Sequence, residues 1–480
     1  MKPRSIRPFG LRDKLGYMFG DFGNDFTFIL STSILMKFYT DVMGVSAGVV
    51  GTIMMIARFV DSVTDVTMGR ICDRTKPTAA GKFKPWLLRI CIPVAAASFL
   101  MYAPGLASDY VSQWPGGVRI AYLAITYIFW GSFCYTAVNI PYGSMASAVS
   151  ADPGDRQSLS TFRTIGGMLA GMVIGVGLPL LAYDKSVSPE TGDILSVLNG
   201  YKVAVCAAAF SVLAIVCYCL AYRLITERVS YKAPEKKEKK TSVVQMLANA
   251  ARSRALISII VASILMLLAQ LTMQNMGSYI FPDYYGNTAA QSVSTVLMMA
   301  GMFTAAGFAK PLSARFGKAE VSVVSCLFAG AVCILTWVIK PESVWVYCGL
   351  QAVCWLGLGI FSMVSWALIT DVIDHSELRN GVREDGAVYA MYSFARKLGQ
   401  AVAAGMAGWL LEAIGYDSAA AEAGLGHTDP VKDGIFSIST LIPALGFVAL
   451  GQVLWFWYPL HKKQTEANVR ALEEKRWRDN

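Results

Sequence analysis

The sequence predicts an all-α membrane protein, with twelve transmembrane helices arranged as two six-helix halves around a central cavity. Three observations lead there. The chain of 480 residues is 55% hydrophobic and only 16% charged, too apolar throughout for an ordinary soluble domain. Apolar runs of the length a helix needs to cross a bilayer, about 20 residues, recur along the whole sequence. One long polar insertion falls midway between them.

The runs cover residues 15–41, 46–72, 85–106, 117–149, 158–184, 199–226, 254–282, 290–314, 320–340, 343–370, 386–414 and 434–459. Barrel strands are not expected, because those alternate apolar and polar residues over about ten positions, whereas LISIIVASILMLLAQ is apolar on every side. The insertion, ERVSYKAPEKKEKKTSVVQMLANAARSR, divides the chain into a first half at 1–226, a cytoplasmic linker at 227–253, a second half at 254–459 and a cytoplasmic tail at 460–480. GRICDRTKPTAAGKFKPW after the second run has a shorter counterpart, ARFGKAE, after the eighth, which suggests an internal repeat. Two parallel halves joined by a charged linker are the layout of transporters whose site lies near the membrane midplane.

Basic residues set the orientation. Lys2, Arg4, Arg7, Arg12 and Lys14 precede the first run, Lys76, Lys82 and Lys84 follow the second, a cluster from Arg228 to Lys240 follows the sixth, and Lys462 and Lys463 follow the twelfth. The alternate loops hold little beyond Lys185, Lys340 and Lys432. Lys and Arg concentrate in short cytoplasmic loops, so both termini are expected in the cytoplasm. The net charge of +9 follows from this asymmetry, and no nucleic-acid partner is expected. A basic N-terminus leading into a run too long for a signal-peptide core argues against a cleaved leader.

The ten cysteines sit in or at the ends of the runs, as small buried hydrophobes do. Cys217 and Cys219, two apart on a helix, face different ways, so neither a metal site nor a disulfide framework is expected. His375, His427 and His461 all fall in loops or the tail. Without paired histidines, a quinone or metal motif, or a soluble catalytic domain, an enzyme and a resident cofactor are not expected. A channel is disfavoured too, since the acids and bases are scattered and form no rings.

Ionisable residues inside the runs carry the functional reading. Arg58, Asp61 and Asp65 are spaced by three and then four, so they share one face of the second helix. A charge at mid-span costs about 2.5–3.5 kcal/mol on insertion scales, so these must face protein or water. An intrahelical Arg58–Asp61 bridge that only locks the fold is the bland alternative, and it leaves Asp65 unexplained. Asp21 and Asp25 share a face of the first helix with Asn24 beside them, and Thr136 and Asn139 lie a turn apart in the fourth, where Pro141 should kink the helix. Arg163 in the fifth run and Arg396 and Lys397 in the eleventh bring positive charge from both halves. Arg163 has the alternative of snorkelling to the cytoplasmic interface. Trp366 and Tyr392 offer flat faces for sugar rings, or serve as interface and packing residues.

At these residues the chain resembles the glycoside, pentoside and hexuronide cation symporters of the major facilitator superfamily. The likeness runs through GYMFGDFGNDF, FYTDVMG, ARFVDSVTDVTMGRICD, GKFKPW, NIPYGSM, DVIDHSELRNGVREDG and FARKLGQ. It implies a twelve-helix, cation-coupled sugar transporter of a bacterial inner membrane, functional as a monomer. By that likeness Asp61, Asp65 and Thr136 fall where the coupling cation binds, with Thr64 beside them. Asp25, Asn24, Asn139 and Arg163 fall where sugar hydroxyls are held, and Lys397, Trp366 and Tyr392 on the opposite wall. Arg58, Asp21 and Arg396 complete a charge network. Asn139, Gly143 and Thr64 depart from the melibiose branch of the family, which has an acid, a Trp and an Asn there, so neither α-galactoside specificity nor sodium carries over. NIPYGS and FARKLGQA look more like the β-glucuronide and β-glycoside branch, where proton coupling is usual. A lysolipid or drug is the competing ligand class, since relatives of the fold carry those.

Two carboxylates one helical turn apart in low dielectric either share a proton or coordinate a small cation. H+, Na+ and Li+ all remain open, with Thr136 as a hard oxygen ligand for the metals. In the cytoplasmic loops, Asp73 and Arg74 resemble the superfamily's gating loop, where Asp73 would cap a neighbouring helix. Asp371, Asp374 and Arg383, with Glu377 and Arg379, have the composition to pair across the half-domain; a solvated loop is the alternative.

Overall fold

In the computed structural model, residues 7–187, 194–229, 253–380 and 385–479 are described; Arg383 lies outside them. Six long helices precede the linker: α1 (Leu11–Asp41), α2 (Ala47–Arg74), α3 (Lys84–Val111), α4 (Gly116–Val149), α5 (Pro153–Leu181) and α6 (Gly200–Leu224). Six follow it: α7 (Arg254–Tyr284), α8 (Thr288–Phe316), α9 (Lys318–Ile339), α10 (Val344–Arg379), α11 (Asp385–Ala413) and α12 (Asp429–Trp457), after which α13 (Lys462–Asp479) forms the tail. Ten of the twelve are long and apolar enough to cross a membrane. α1 and α11 match them in length and carry several of the charges considered below.

The helices begin where the side chains allow. Ser46, Asp152, Asn199, Ser253 and Asn287 each accept a backbone N–H from the first turn of α2, α5, α6, α7 and α8, as N-cap residues do. α3 is capped from far along the chain: the Glu227 carboxylate accepts from the backbone N–H groups of Lys82, Phe83 and Lys84 at 2.7, 2.9 and 2.6 Å. The sequence points to Asp73 for such a cap, but its side chain is exposed at the end of α2, like that of Arg74. A carboxylate already lodged at the helix N-terminus takes the favourable end of the dipole. The run at 158–184 is displaced as a helix: α5 begins at Pro153 and stops at Leu181, and Tyr183–Val187 (β1) pairs antiparallel with Ile194–Leu198 (β2). In that hairpin, hydrogen bonds from Lys202 and Asn199 hold the Asp184 carboxyl below the usual range. The support they lend is therefore present at neutral pH and lost as the carboxylate protonates in acid.

Two compact units emerge. The first comprises residues 1–235 with 408–431, the second 236–407 with 432–480. In the first, α1 lies against α5 and α6, α2 against α4, and α3 against α6. In the second, α8 lies against α10, α7 against α12, and α9 against α10 and α12. The pairings α2–α4, α1–α6 and α3–α6 thus recur as α8–α10, α7–α12 and α9–α12, the repeat that the two basic loops suggest. Small residues make the contacts close, as membrane helices require when there is no water to squeeze out. A Cβ on Gly166 of α5 would stand 2.3 Å from the Met18 carbonyl oxygen of α1, and one on Gly399 of α11 3.4 Å from Ile264 Cα of α7.

Residues 408–431 join the first unit through polar contacts. Lys37 of α1 is buried, bridged to Asp41 at 2.7 Å and to the Tyr416 hydroxyl at 3.2 Å. Arg119 pairs with Glu422 at 3.0 Å, and Trp409 Nε1 donates to the Thr52 hydroxyl at 2.9 Å. In the second unit, α13 packs on α10, where the Nδ1 of His375 lies 3.3 Å from Asn468 Nδ2.

Candidate functional site

Two polar clusters form inside the first unit. The first is a ladder between α2 and α4. Asp61 and Asp65 stand one turn apart on α2, and Ser132 and Thr136 one turn apart on α4. Ser132 Oγ donates to Asp61 Oδ1 at 2.5 Å, and Thr136 Oγ1 to Asp65 Oδ1 at 2.9 Å. Residues Phe129–Tyr135 are π-helical, so the irregularity in α4 falls just before Thr136, a turn earlier than Pro141 suggests. Such segments re-aim side chains, and here one sets both hydroxyls toward α2. Gly131 allows the approach, since a Cβ there would meet Asp61 Oδ1 at 3.3 Å.

Arg58 completes this cluster. Its Nη1 lies 3.3 Å from Asp61 Oδ2, the intrahelical bridge the spacing allows, and its guanidinium rests over the rings of Phe28 at 5.1 Å and Tyr127 at 6.0 Å. The bridge engages Asp61, while Asp65 accepts from Thr136. Thr64 turns its hydroxyl back to the carbonyls of Val60 and Asp61 on its own helix, so it does not join the ladder as a donor. Ser132 is the member the sequence reading misses. A serine in an apolar run carries no signal alone, but its spacing from Thr136 repeats that of Asp61 and Asp65.

The second cluster joins α1, α4 and α5. Arg163 Nε donates to Asp21 Oδ1 at 2.9 Å, so Arg163 is engaged with α1. Gly167 sits against both acids of α1: a Cβ there would fall 2.6 Å from Asp25 Oδ2 and 3.2 Å from Asp21 Oδ2. Beneath them Tyr17 and Tyr142 stack with centroids 4.6 Å apart, each hydroxyl donating to the other's backbone carbonyl, and Arg163 lies 5.4 Å from the Tyr142 ring. Asn24 is not part of this group. It is buried toward α6, its Oδ1 accepting from the Tyr218 hydroxyl at 2.7 Å. Asn139 is half-buried on α4, its side chain outside both of these hydrogen-bonded clusters. Gly167→Ala should push the Asp25 carboxylate from its place and lower stability by about 1–3 kcal/mol; an unchanged thermal unfolding midpoint would show that the carboxylate moves aside at no cost.

The second unit gathers Trp366, Tyr392 and Arg396. Trp366 and Tyr392 pack edge to face at 5.4 Å, and the Arg396 guanidinium lies 5.7 and 5.8 Å from their rings. Lys397 follows on α11, half-buried. Asp371 is buried and takes an ion pair at 2.6 Å from Lys318, at the start of α9, within the same unit. Asp374 lies one turn further along α10. Among the described residues no cluster of three or more His, Cys, Asp or Glu could hold a metal. The oxygen atoms on the ladder suit a proton or a hard alkali cation and not a transition metal.

Known proteins share this architecture. A solved D-xylose–proton symporter superimposes with a TM-score of 0.60 over 94% of this chain and 97% of its own, at 14% identity. The glucuronide carrier protein homolog of Escherichia coli (strain K12) is 28% identical over 471 residues, 97% of this chain and 96% of that protein. The uncharacterized symporter YjmB of Bacillus subtilis (strain 168) is 29% identical over 469 residues, again 97% of this chain and 96% of the relative. The family model described as MFS/sugar transport protein matches residues 16–462. With its twelve long helices and charged interior faces, the chain is a membrane transporter, not an enzyme, and it belongs to the MFS/sugar transport protein family.

Proposed function

We propose that this protein is a symporter of the bacterial inner membrane, both termini cytoplasmic, that couples inward movement of a cation to uptake of a glycoside or hexuronide by alternating access. The observation that carries the reading is the ladder: two carboxylates a turn apart within a span, each holding one hydroxyl of a neighbouring helix. A pair built this way is loaded by a single small cation and resists crossing an apolar barrier while empty. If cation and sugar each favour the other's binding, linkage supplies the coupling.

The coupling ion proposed is H+. The guanidinium of Arg58 already stands beside Asp61, so a metal ion shared by Asp61 and Asp65 would place its charge close to a second cation, whereas a proton taken by Asp65, beside the Thr136 hydroxyl, places the same charge two helical turns from Arg58. Na+ or Li+ remains the competing ion, with Asp61, Asp65, Ser132 and Thr136 as its oxygen ligands. For the substrate, Asp25 and Arg163 are proposed to hold sugar hydroxyls and Trp366 to stack on a ring. The Escherichia coli relative, named a glucuronide carrier homolog, supports an acidic sugar. Asp73, Arg74, Asp371 and Asp374 are proposed to act in gating. The reading is tested by comparing uptake of a radiolabelled aryl β-glycoside with that of a fluorescent lysolipid into proteoliposomes bearing an inward proton-motive force. Accumulation of the glycoside alone is expected; accumulation of the lysolipid alone would overturn the sugar assignment.

A further inference from the structure

We infer that Arg396, seated on Trp366 and Tyr392, is the residue that makes the transporter prefer acidic sugars, by taking the substrate's carboxylate as its counterion. The inference rests on the sugar-transport reading and adds to it the group that reads charge.

Three arginines lie well inside long helices: Arg58 on α2, Arg163 on α5 and Arg396 on α11. A guanidinium within a span needs a compensating partner. Arg58 has Asp61 at 3.3 Å and Arg163 has Asp21 at 2.9 Å. Arg396 is half-buried and has no carboxylate within ion-pair distance among the described residues; it rests on two aromatic faces only.

The repeat shows where its carboxylate is missing. In α5 the order is Arg163 and, three residues on, Gly166, which packs on Met18 and Phe22 of α1; in α11 it is Arg396 and Gly399, which packs on Ile264 and Leu267 of α7. Setting Met18 against Ile264 puts Leu267 in the place of Asp21, within a stretch of α7, residues 264–271, that holds no acid. Each arginine also lies over an aromatic ring from the preceding helix, Tyr142 for Arg163 and Trp366 for Arg396. The second unit thus repeats the arginine, the glycine and the aromatic face of the first, with a buried leucine in place of the acid.

Two further features fit an oxyanion ligand. The Tyr392 hydroxyl is buried with no hydrogen-bond partner among the described residues, a donor left over in the same cluster. Trp366, by contrast, is 45% exposed. A guanidinium held flat by stacking presents its remaining N–H groups as a fork that matches a carboxylate.

The test is equilibrium binding of 4-nitrophenyl β-D-glucuronide and 4-nitrophenyl β-D-glucoside to the purified full-length protein. Wild type is expected to prefer the glucuronide by about tenfold or more, the range of a charge-assisted pair. Arg396→Gln should bring the ratio of the two affinities close to one. Arg396→Lys, which keeps the charge without the planar fork, should fall between. Leu267→Asp, which supplies the missing acid internally, should weaken glucuronide binding with Arg396 intact. If wild type binds neither glycoside, the inference falls together with the sugar reading. If wild type binds both equally, or Arg396→Gln keeps the wild-type preference, the inference falls alone.

Discussion

Asp65→Asn is expected to abolish concentrative uptake while leaving substrate exchange across the membrane intact. The amide keeps the size of the carboxyl and can still accept from the Thr136 hydroxyl, the contact seen at 2.9 Å. It can no longer release a proton or neutralise a metal ion. The carrier is then held in its loaded electrostatic state, so sugar would cross in both directions and equilibrate, with nothing tying it to the membrane potential, worth about 2.3 kcal/mol per charge per 100 mV. Uptake against a gradient and counterflow in the same proteoliposomes separate the two activities. Asp61→Asn should lose accumulation too, with an added stability loss, because Arg58 is left beside an amide. A pair of single variants that accumulate sugar to wild-type levels would remove the ladder from the coupling mechanism.

Arg163→Gln is expected to damage both fold and binding. Breaking a fully buried pair by removing one partner costs about 3–5 kcal/mol. Here the Arg163 side chain is 41% exposed and that of Asp21 11%, so solvent screening reduces the expected loss to about 2–3 kcal/mol. Asp21 and Asp25, which both face Gly167, would be left without the guanidinium that joins α1 to α5. Restoring neutrality with Asp21→Asn in the same chain should recover much of the stability, since the uncompensated charge is gone, without restoring sugar affinity. A double-variant cycle followed by thermal unfolding and ligand binding measures both. Full sugar binding by Arg163→Gln would show that the residue serves only to tie the helices.

The chemistry of the site is legible in the sequence where it violates the composition of a span. Asp61, Asp65, Asp21, Asp25 and Arg163 stand out because a charge in an apolar run demands a reason, and their spacing by three or four residues places them on shared helix faces. Groups that cost little to bury give no such signal. Ser132 is one more hydroxyl among many, and the segment that turns it toward Asp61 is π-helical for reasons no local motif announces. Contacts between residues far apart in sequence are equally hidden. Glu227 reads as the first residue of a polar linker, yet caps α3, and Asn24 reads as a companion to Asp25, yet turns to Tyr218 on α6. The Lys37–Asp41 pair has the right spacing in KFYTD, but its partner Tyr416 comes from beyond α11. The hairpin after α5 is missed because Tyr183 reads as the end of the run 158–184 and ILSVL falls in the connection before the run 199–226.

On the reading proposed above, a cation bound at the Asp61–Asp65 ladder drives uptake of an acidic sugar. The decisive measurement is uptake of a labelled aryl β-glucuronide into proteoliposomes under an imposed pH gradient or an imposed sodium gradient. Accumulation driven by the pH gradient alone, and absent from Asp65→Asn, is the predicted result. Equal, merely equilibrating uptake with either gradient or none would contradict cation coupling.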